Sequence, residues 1–245
     1  MTDMHCHILP GVDDGAESLD DALVMAELAA ESGVDTIIAT PHCNLPGVAR
    51  SNCKSDELRD RFIELAAALR DARIPVKLLP GAEVLCTPSV PELLKKGRLL
   101  TLAGSDYLLV EFFFREAPDI MDELLARVAA EGVTPVIAHP ERYAAVHRDP
   151  GVIAAWHGKG YVIQLNKDSL LGRLGRRAAA SADWILAHGL AHIVASDAHS
   201  PLYRTPYMGE VRRHLEERYS PKYAELLLVR NPEAILRNGR VVPAE

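Results

Sequence analysis

The apolar positions along this chain switch between two periods in a regular order. A short run with alternating apolar residues at the start reads as a strand that delivers His5 and His7, and a Pro10-Gly11 turn then delivers Asp13 and Asp14. Ser18 opens an amphipathic helix that runs to Ser32 and stops at Gly33. Asp35 to Thr40 is a buried strand ending in Pro41-His42, and a polar loop from Asn44 to Lys54 leads to a helix from Ser55 to Ala72. The strand Pro75 to Leu79 is followed by Gly81-Ala82-Glu83, a short helix from Pro91 to Lys96, and the strand Tyr107 to Val110, which ends at Glu111. A helix from Asp119 to Glu131, stopped by Gly132, precedes the strand Val133 to Ala138 and His139-Pro140.

The alternation then continues. A helix from Gly151 to Gly158 precedes the strand Tyr161 to Leu165, which ends at Asn166. A helix from Arg173 to His188 precedes the strand Ala191 to Ala195 and the run Ser196-Asp197-Ala198-His199. Helices from Tyr207 to Arg218 and from Pro221 to Leu228, with a last turn reaching Leu236, close the chain. These are seven strand-helix units without a Gly-, Ser- or Pro-rich linker, so one domain over residues 1–245 is the simpler reading. Such alternation calls for parallel strands with right-handed crossovers, in an open sheet or a closed barrel. The polar residues decide between the two. His5, His7, His42, Glu83, Glu111, His139, Asn166, Asp197 and His199 all fall at or just beyond predicted strand C-termini, which converge on one mouth only in a barrel. The expected fold class is therefore α/β, with the strands closed into a barrel.

Composition changes this picture little. The 245 residues are 48% hydrophobic and 25% charged, as in ordinary globular chains, and no apolar run approaches the roughly 18 residues of a membrane span. Met1-Thr2-Asp3 lacks the basic start of a signal peptide, and four cysteines without C-x-x-C pairing fit a reducing compartment, so the expected location is the cytoplasm. A net charge of -7 argues against nucleic acid as a partner. An anionic substrate stays open, provided that positive charge is concentrated at the site.

The candidate chemistry follows from that crowding. His5 and His7, two apart on a strand, point to one face; an isolated His-x-His reads first as surface histidines of a loose N-terminus, and the rest of the chain overturns that reading. Four carboxylates, Asp14, Glu83, Glu111 and Asp197, cannot all stay ionised at one mouth without cations. Five histidines, His5, His7, His42, His139 and His199, add nitrogen donors, and a mixed oxygen and nitrogen set suits Mn, Fe or Zn better than Ca or Mg. So many ligands would hold two or three ions, which would supply a hydroxide nucleophile at neutral pH.

The segments H-C-H-I-L-P-G-V-D-D-G, T-P-H, G-A-E, I-A-H-P-E-R-Y and A-S-D-A-H, spread over essentially the whole chain, resemble the polymerase-and-histidinol-phosphatase (PHP) family of phosphoesterases. They are most similar to the bacterial manganese-dependent protein tyrosine phosphatases of capsule and exopolysaccharide synthesis. The resemblance implies a distorted (β/α)7 TIM-like barrel that holds a trinuclear centre: His5, His7 and Asp197 on one ion, Glu83 bridging it to a second held by Glu111 and His139, and Asp14, His42 and His199 on the third. It favours Asp14 over Asp13, which the residues alone leave open, and it matches Arg142 and Arg204 to arginines that bind phosphate. The implied metal is Mn2+, with Fe or Zn as substitutes. The implied substrate is phosphotyrosine on the tail of a membrane-associated bacterial tyrosine kinase. No insertion of the chain itself into the membrane is expected, and the segment from Pro221 to Glu245 leaves room for a homo-oligomer interface.

Other readings compete. Cys53 and Arg59 have the C-x5-R spacing of thiol phosphatases, but the intervening residues lack glycine and include two acids, and Arg50 lies one residue too far from Cys43. His188 and His192 are separated by a helix-ending Gly189 and read as structural, while His147, His157 and His214, away from strand ends, read as solvated or capping residues. Arg142 could instead pair with a rim carboxylate such as Glu141, Arg204 could be a mobile loop arginine, and Asn166 could be a ligand, a substrate contact or a buried hydrogen-bonding residue. A small-molecule phosphatase such as histidinol phosphatase keeps the fold and changes the substrate. An amidohydrolase also begins with His-x-His but commonly bridges its metals with lysine, where this chain has glutamates. A degenerate domain that only binds a partner would have lost ligands.

Overall fold

A computed structural model of the chain describes residues 1–45 and 53–243. Most of the polar loop expected over 44–54, and Arg50 with it, lies outside the described residues. Nine strands are present among them: β1 (Thr2–Cys6), β2 (Thr36–Ala39), β3 (His42–Cys43), β4 (Lys77–Pro80), β5 (Glu83–Leu85), β6 (Tyr107–Glu111), β7 (Thr134–Ala138), β8 (Val162–Asn166) and β9 (Ile193–Ala195). Every ladder is parallel. The seven expected strands are all found, and two short strands that were not expected follow two of them: β3 comes after β2 across Thr40-Pro41, and β5 after β4 across Gly81-Ala82.

The closed barrel expected from the sequence is not what the ladders form. They make a three-stranded sheet in the order β1-β2-β4 and a six-stranded sheet in the order β3-β5-β6-β7-β8-β9. Two local causes are visible. Pro41 has no N–H to continue the β2 ladder. Strand β9 is only three residues long and meets β1 through an isolated bridge, Cys6 to Ala198, beside two backbone bonds, Asp197 N to His5 O at 2.8 Å and His7 N to Ala198 O at 2.9 Å.

Apart from β4, whose Lys77 and Pro80 are exposed, the strands are largely buried on both faces, as helix-covered parallel sheets are. Met4, Ile38, Leu109, Val136, Val162 and Ile193 form one cluster, while Ile37, Leu108, Val110, Ile137 and Ile163 pack with the helices in another. Alternation along β8 therefore places Gln164 and Asn166 on the face of Val162. Helix α1 (Leu19–Glu31) shows how the covering layer is made. Ser18 caps it by accepting from Asp21 N at 3.1 Å, and its buried stripe of Ala22, Met25, Ala26 and Ala29 has helical spacing. No helix among the described residues is long and apolar enough to cross a membrane.

Candidate metal centre

The end of β1 and the loop behind it set the first two imidazoles. A register shift between Asp3 and Cys6 lets Met4 pack in the inner cluster while His5 and His7 both reach the mouth. The loop then folds back on His7, with Ala16 N donating to His7 O at 2.9 Å. Gly15 permits this approach, because a Cβ there would lie 2.0 Å from His7 O and 2.5 Å from its Cβ. Asp13 and Asp14 take different tasks. Asp13 accepts from His7 Nδ1 at 2.8 Å, from His42 N at 2.9 Å and from Gly15 N at 3.0 Å, so it orients His7 from behind. Asp14 is exposed and faces the mouth, with Oδ1 3.4 Å from His42 Nε2 and 3.5 Å from His199 Nε2.

Glu83, at the start of β5 and fully buried, is the centre of the cluster. Its Oε2 lies 3.2 Å from His5 Nε2, 3.2 Å from His7 Nε2 and 3.1 Å from His42 Nδ1, and its Oε1 lies 2.8 Å from His139 Nε2. Glu111, at the end of β6, approaches His42 Nδ1 to 2.9 Å. Yet Glu83 Oε2, Glu111 Oε1, His42 Nδ1 and His139 Nδ1 are buried without a hydrogen bond of proper geometry. Ring nitrogens gathered around carboxylate oxygens that they do not hydrogen-bond are a donor set suited to divalent cations.

Among the described residues three groups have ligand atoms within 4.8 Å of one another: His7, Asp14, His42 and His199; His5, His7 and Glu83; and His42, Glu83 and Glu111. The grouping differs from the ligand sets implied by resemblance. His42 stands beside Glu83 and Glu111 as well as Asp14, because the two carboxylates attract its imidazolium, and His139 meets Glu83 from the other oxygen. Asp197 is split between two neighbourhoods. Its Oδ1 lies 3.5 Å from His5 Nε2 and 3.6 Å from both His7 and His199, while its Oδ2 receives Arg142 at 3.4 Å, Arg204 and Asn166 Nδ2. His139 and Asp197 both have left-handed backbone, φ 36° and 49°, a strained conformation for non-glycine residues that clusters at functional sites.

The two arginines are thus held at the mouth. Arg142 does pair with a rim carboxylate, though with Asp197 at 3.4 Å rather than Glu141, and its guanidinium lies 4.4 Å over the ring of Phe114. Glu141 is buried on the other side, accepting from Asn166 N at 3.0 Å and Ser169 Oγ at 2.6 Å. Arg59 is engaged by Asp56 at 3.1 Å and Asp60 at 3.6 Å, and Cys43 and Cys53 are buried free thiols, which removes the thiol alternative there. His192 receives Ile163 N and stacks on His157, and His188 stacks on Trp184, so these are structural. The mouth is a cleft of about 280 Å³ whose rim includes Phe113 and Phe114, both substantially exposed. A larger cavity of about 600 Å³, near Phe62 and Leu100, contains none of the ligand candidates. Gln164 and the phenylalanines are not among the site residues expected from the sequence. Gln164 is two residues before Asn166 on a strand, which was the available signal, and three of the four phenylalanines of the chain are consecutive at 112–114.

The electrostatics show protons standing where cations would stand. Burial alone would lower the pKa of His7, but Asp13 and Glu83 outweigh it and raise it to about 10. His42 likewise resists burial and rises to about 11 beside Glu111 and Glu83. Burial opposes ionisation of Glu83, yet His5 and the other imidazoles hold it well below the usual carboxylate range. Cations must displace the protons of His7 and His42. Metal affinity should therefore strengthen as pH rises from 6 to 9, with protons released on loading. Calorimetric titrations in buffers of different ionisation enthalpy read that release, and equal heats in all buffers would contradict it. The stability sign is opposite. Raised imidazole pKa values stabilise the metal-free fold fully below about 6.5 and progressively less as pH climbs towards 10, so its Tm should fall over that interval.

Known proteins extend these observations. A family model described as capsular polysaccharide synthesis, CpsB/CapC, matches residues 1–237. Tyrosine-protein phosphatase YwqE of Bacillus subtilis is 36% identical over 241 residues, covering 98% of this chain and 93% of that protein. Tyrosine-protein phosphatase CpsB of Streptococcus pneumoniae is 29% identical over 241 residues, covering 96% and 98%. A solved structure from work on YwqE and CpsB, described there as unique metal-dependent tyrosine phosphatases, superposes with a TM-score of 0.92 at 34% identity, covering 100% of this chain and 97% of that one. The phosphotriesterase of Mycobacterium tuberculosis, with a TM-score of 0.62 at 11% identity over 97% of this chain and 93% of its own, shares the fold alone. With its histidine and carboxylate mouth and a family match over nearly its whole length, this chain belongs to the CpsB/CapC family of capsular polysaccharide synthesis.

Proposed function

We propose that this chain is a metal-dependent protein tyrosine phosphatase of the cytoplasm, acting on the phosphotyrosine tail of a bacterial tyrosine kinase that regulates capsule and exopolysaccharide synthesis. The observation that carries the reading is Glu83, buried, with three imidazole nitrogens at 3.1–3.2 Å from one oxygen and no hydrogen bond there. The similarity to YwqE and CpsB supports the substrate. In this reading the parallel strands act as a distorted seven-stranded barrel, and residues 1–245 work as one domain.

His5, His7, Asp14, His42, Glu83, Glu111, His139, Asp197 and His199 would hold two or three ions, with Mn2+ the first choice and Fe or Zn as substitutes. Bound ions would supply Lewis acidity and an activated water as nucleophile near neutral pH. The chain's own residues do the rest. Arg142 and Arg204, both already turned towards Asp197, can fork onto the phosphoryl oxygens and spread the charge that develops during transfer. Phe114 holds Arg142 in place by stacking and presents an apolar edge to the tyrosine ring. A phenolate leaving group, pKa near 10, departs without a strong general acid, which suits a mouth occupied by ligands and arginines.

The test is hydrolysis of a tyrosine-phosphorylated kinase-tail peptide against histidinol phosphate, in metal-stripped protein with Mn2+ restored, beside His139→Ala. The expected outcome is turnover of the peptide that returns with Mn2+ and is lost in His139→Ala. Preference for histidinol phosphate would move the protein to small-molecule metabolism while keeping its metals.

A further inference from the structure

We infer that Gln164 and Asn166 are positioning residues: a one-way chain of hydrogen bonds, started by Asp197, passes through their two amides and fixes which nitrogen of His5 faces the metal site. The inference rests on the reading of His5 and Asp197 as metal ligands. Its members are contiguous. Asn166 Nδ2 contacts Asp197 Oδ2, Gln164 Nε2 lies 3.0 Å from Asn166 Oδ1, and Gln164 Oε1 lies 2.9 Å from His5 Nδ1. Both amides are completely buried, with relative exposures of 0% and 1%, so water does not compete for them.

The direction of the chain follows from the chemistry of its ends. An ionised carboxylate only accepts, so Asn166 must turn its NH2 to Asp197 and its oxygen to Gln164. Gln164 must then present its NH2 to that oxygen and its own oxygen to His5. An oxygen facing Nδ1 requires a proton on Nδ1. In neutral His5 the lone pair is consequently on Nε2, the atom 3.2 Å from Glu83 and 3.1 Å from His7 Nε2. Reversing one amide would set two oxygens or two NH2 groups against each other in a buried site.

His7 reaches the same state by a different route, since Asp13 accepts directly from its Nδ1. A carboxylate at position 164 would do this for His5 too, but would add another buried negative charge beside Glu83 and Asp197. The neutral relay instead uses the charge of Asp197 twice, once towards the ions and once to orient His5. This also accounts for Asn166, whose part the sequence left open.

The experiment is nitrogen-15 NMR of the histidine rings in zinc-loaded protein, with zinc affinity by competition against a chelator, for wild type, Asn166→Leu and Gln164→Leu. Wild type should show His5 with a single Nδ1–H form. Asn166→Leu leaves every contact of His5 intact but frees the Gln164 amide to flip, so His5 should populate both ring forms and one ion should bind about 10- to 100-fold more weakly. A merely structural asparagine would weaken stability without changing the His5 ring form. Gln164→Leu should give the same His5 signature, and it keeps the inference testable where Asn166→Leu does not fold. A single Nδ1–H form with wild-type affinity in both variants would overturn the relay. Metal-free wild type, brought to a pH at which the nitrogen-15 shifts themselves report a neutral His5 ring, separates the two readings. A single Nδ1–H form there without zinc uptake would support the relay and refute the ligand assignment, while mixed forms in wild type would refute the relay itself.

Discussion

Replacing Glu83 by alanine is expected to remove at least one ion per chain and to lower phosphotyrosyl turnover by about 1,000-fold or more, the scale at which a group that organises transition-state charge acts. The size of the effect follows from how many groups share this side chain. Glu83 is the common neighbour of His5, His7, His42 and His139, through both of its oxygens. In metal-free protein the loss has a second consequence. His5 and His7 are fully buried, and burial by itself disfavours their charged forms. Without Glu83 fewer protons should be held there, and the fall of Tm with rising pH should flatten. Metal content by emission spectroscopy, with kcat on the phosphopeptide, decides the point. A variant that keeps all its metal and stays within tenfold of wild-type turnover would show that Glu83 is not the centre.

Arg142→Ala is expected to lower kcat/KM for the phosphopeptide by about 100- to 1,000-fold while leaving metal content unchanged. The separation is possible because Arg142 touches Asp197 only through Oδ2, whereas the imidazoles face Oδ1. Arg142→Lys should rescue little, since a lysine has neither the planar fork for two phosphoryl oxygens nor the flat face that lies over Phe114. Arg204→Ala should act in the same direction, and the double variant should cost less than the product of the two, because both guanidinium groups meet on one carboxylate oxygen. Competitive inhibition by inorganic phosphate provides the independent reading. Its loss in Arg142→Ala, at unchanged metal content, places the arginine on the phosphate; unchanged inhibition would place it elsewhere.

The period of the apolar residues determined the order of strands and helices, because each element buries a face or both faces, and burial leaves its repeat in the sequence. Loop chemistry was equally legible. The strand-end histidines and carboxylates stood out because ionisable groups next to apolar runs have few structural explanations. What spacing cannot express is how separate segments meet. That Asp13 orients His7 while Asp14 faces the mouth depends on the loop folding back at Gly15, and the two neighbours are chemically identical in one dimension. The interrupted ladders at Thr40-Pro41 and Gly81-Ala82, the turn of Arg142 away from Glu141 and the relay from Asp197 to His5 are likewise long-range arrangements. In the sequence Gln164 is one buried strand residue among others; its amide has Asn166 of the same strand on one side, and only the tertiary structure sets His5 of β1 on the other and Asp197 beyond β9 against Asn166, which gives the chain its direction.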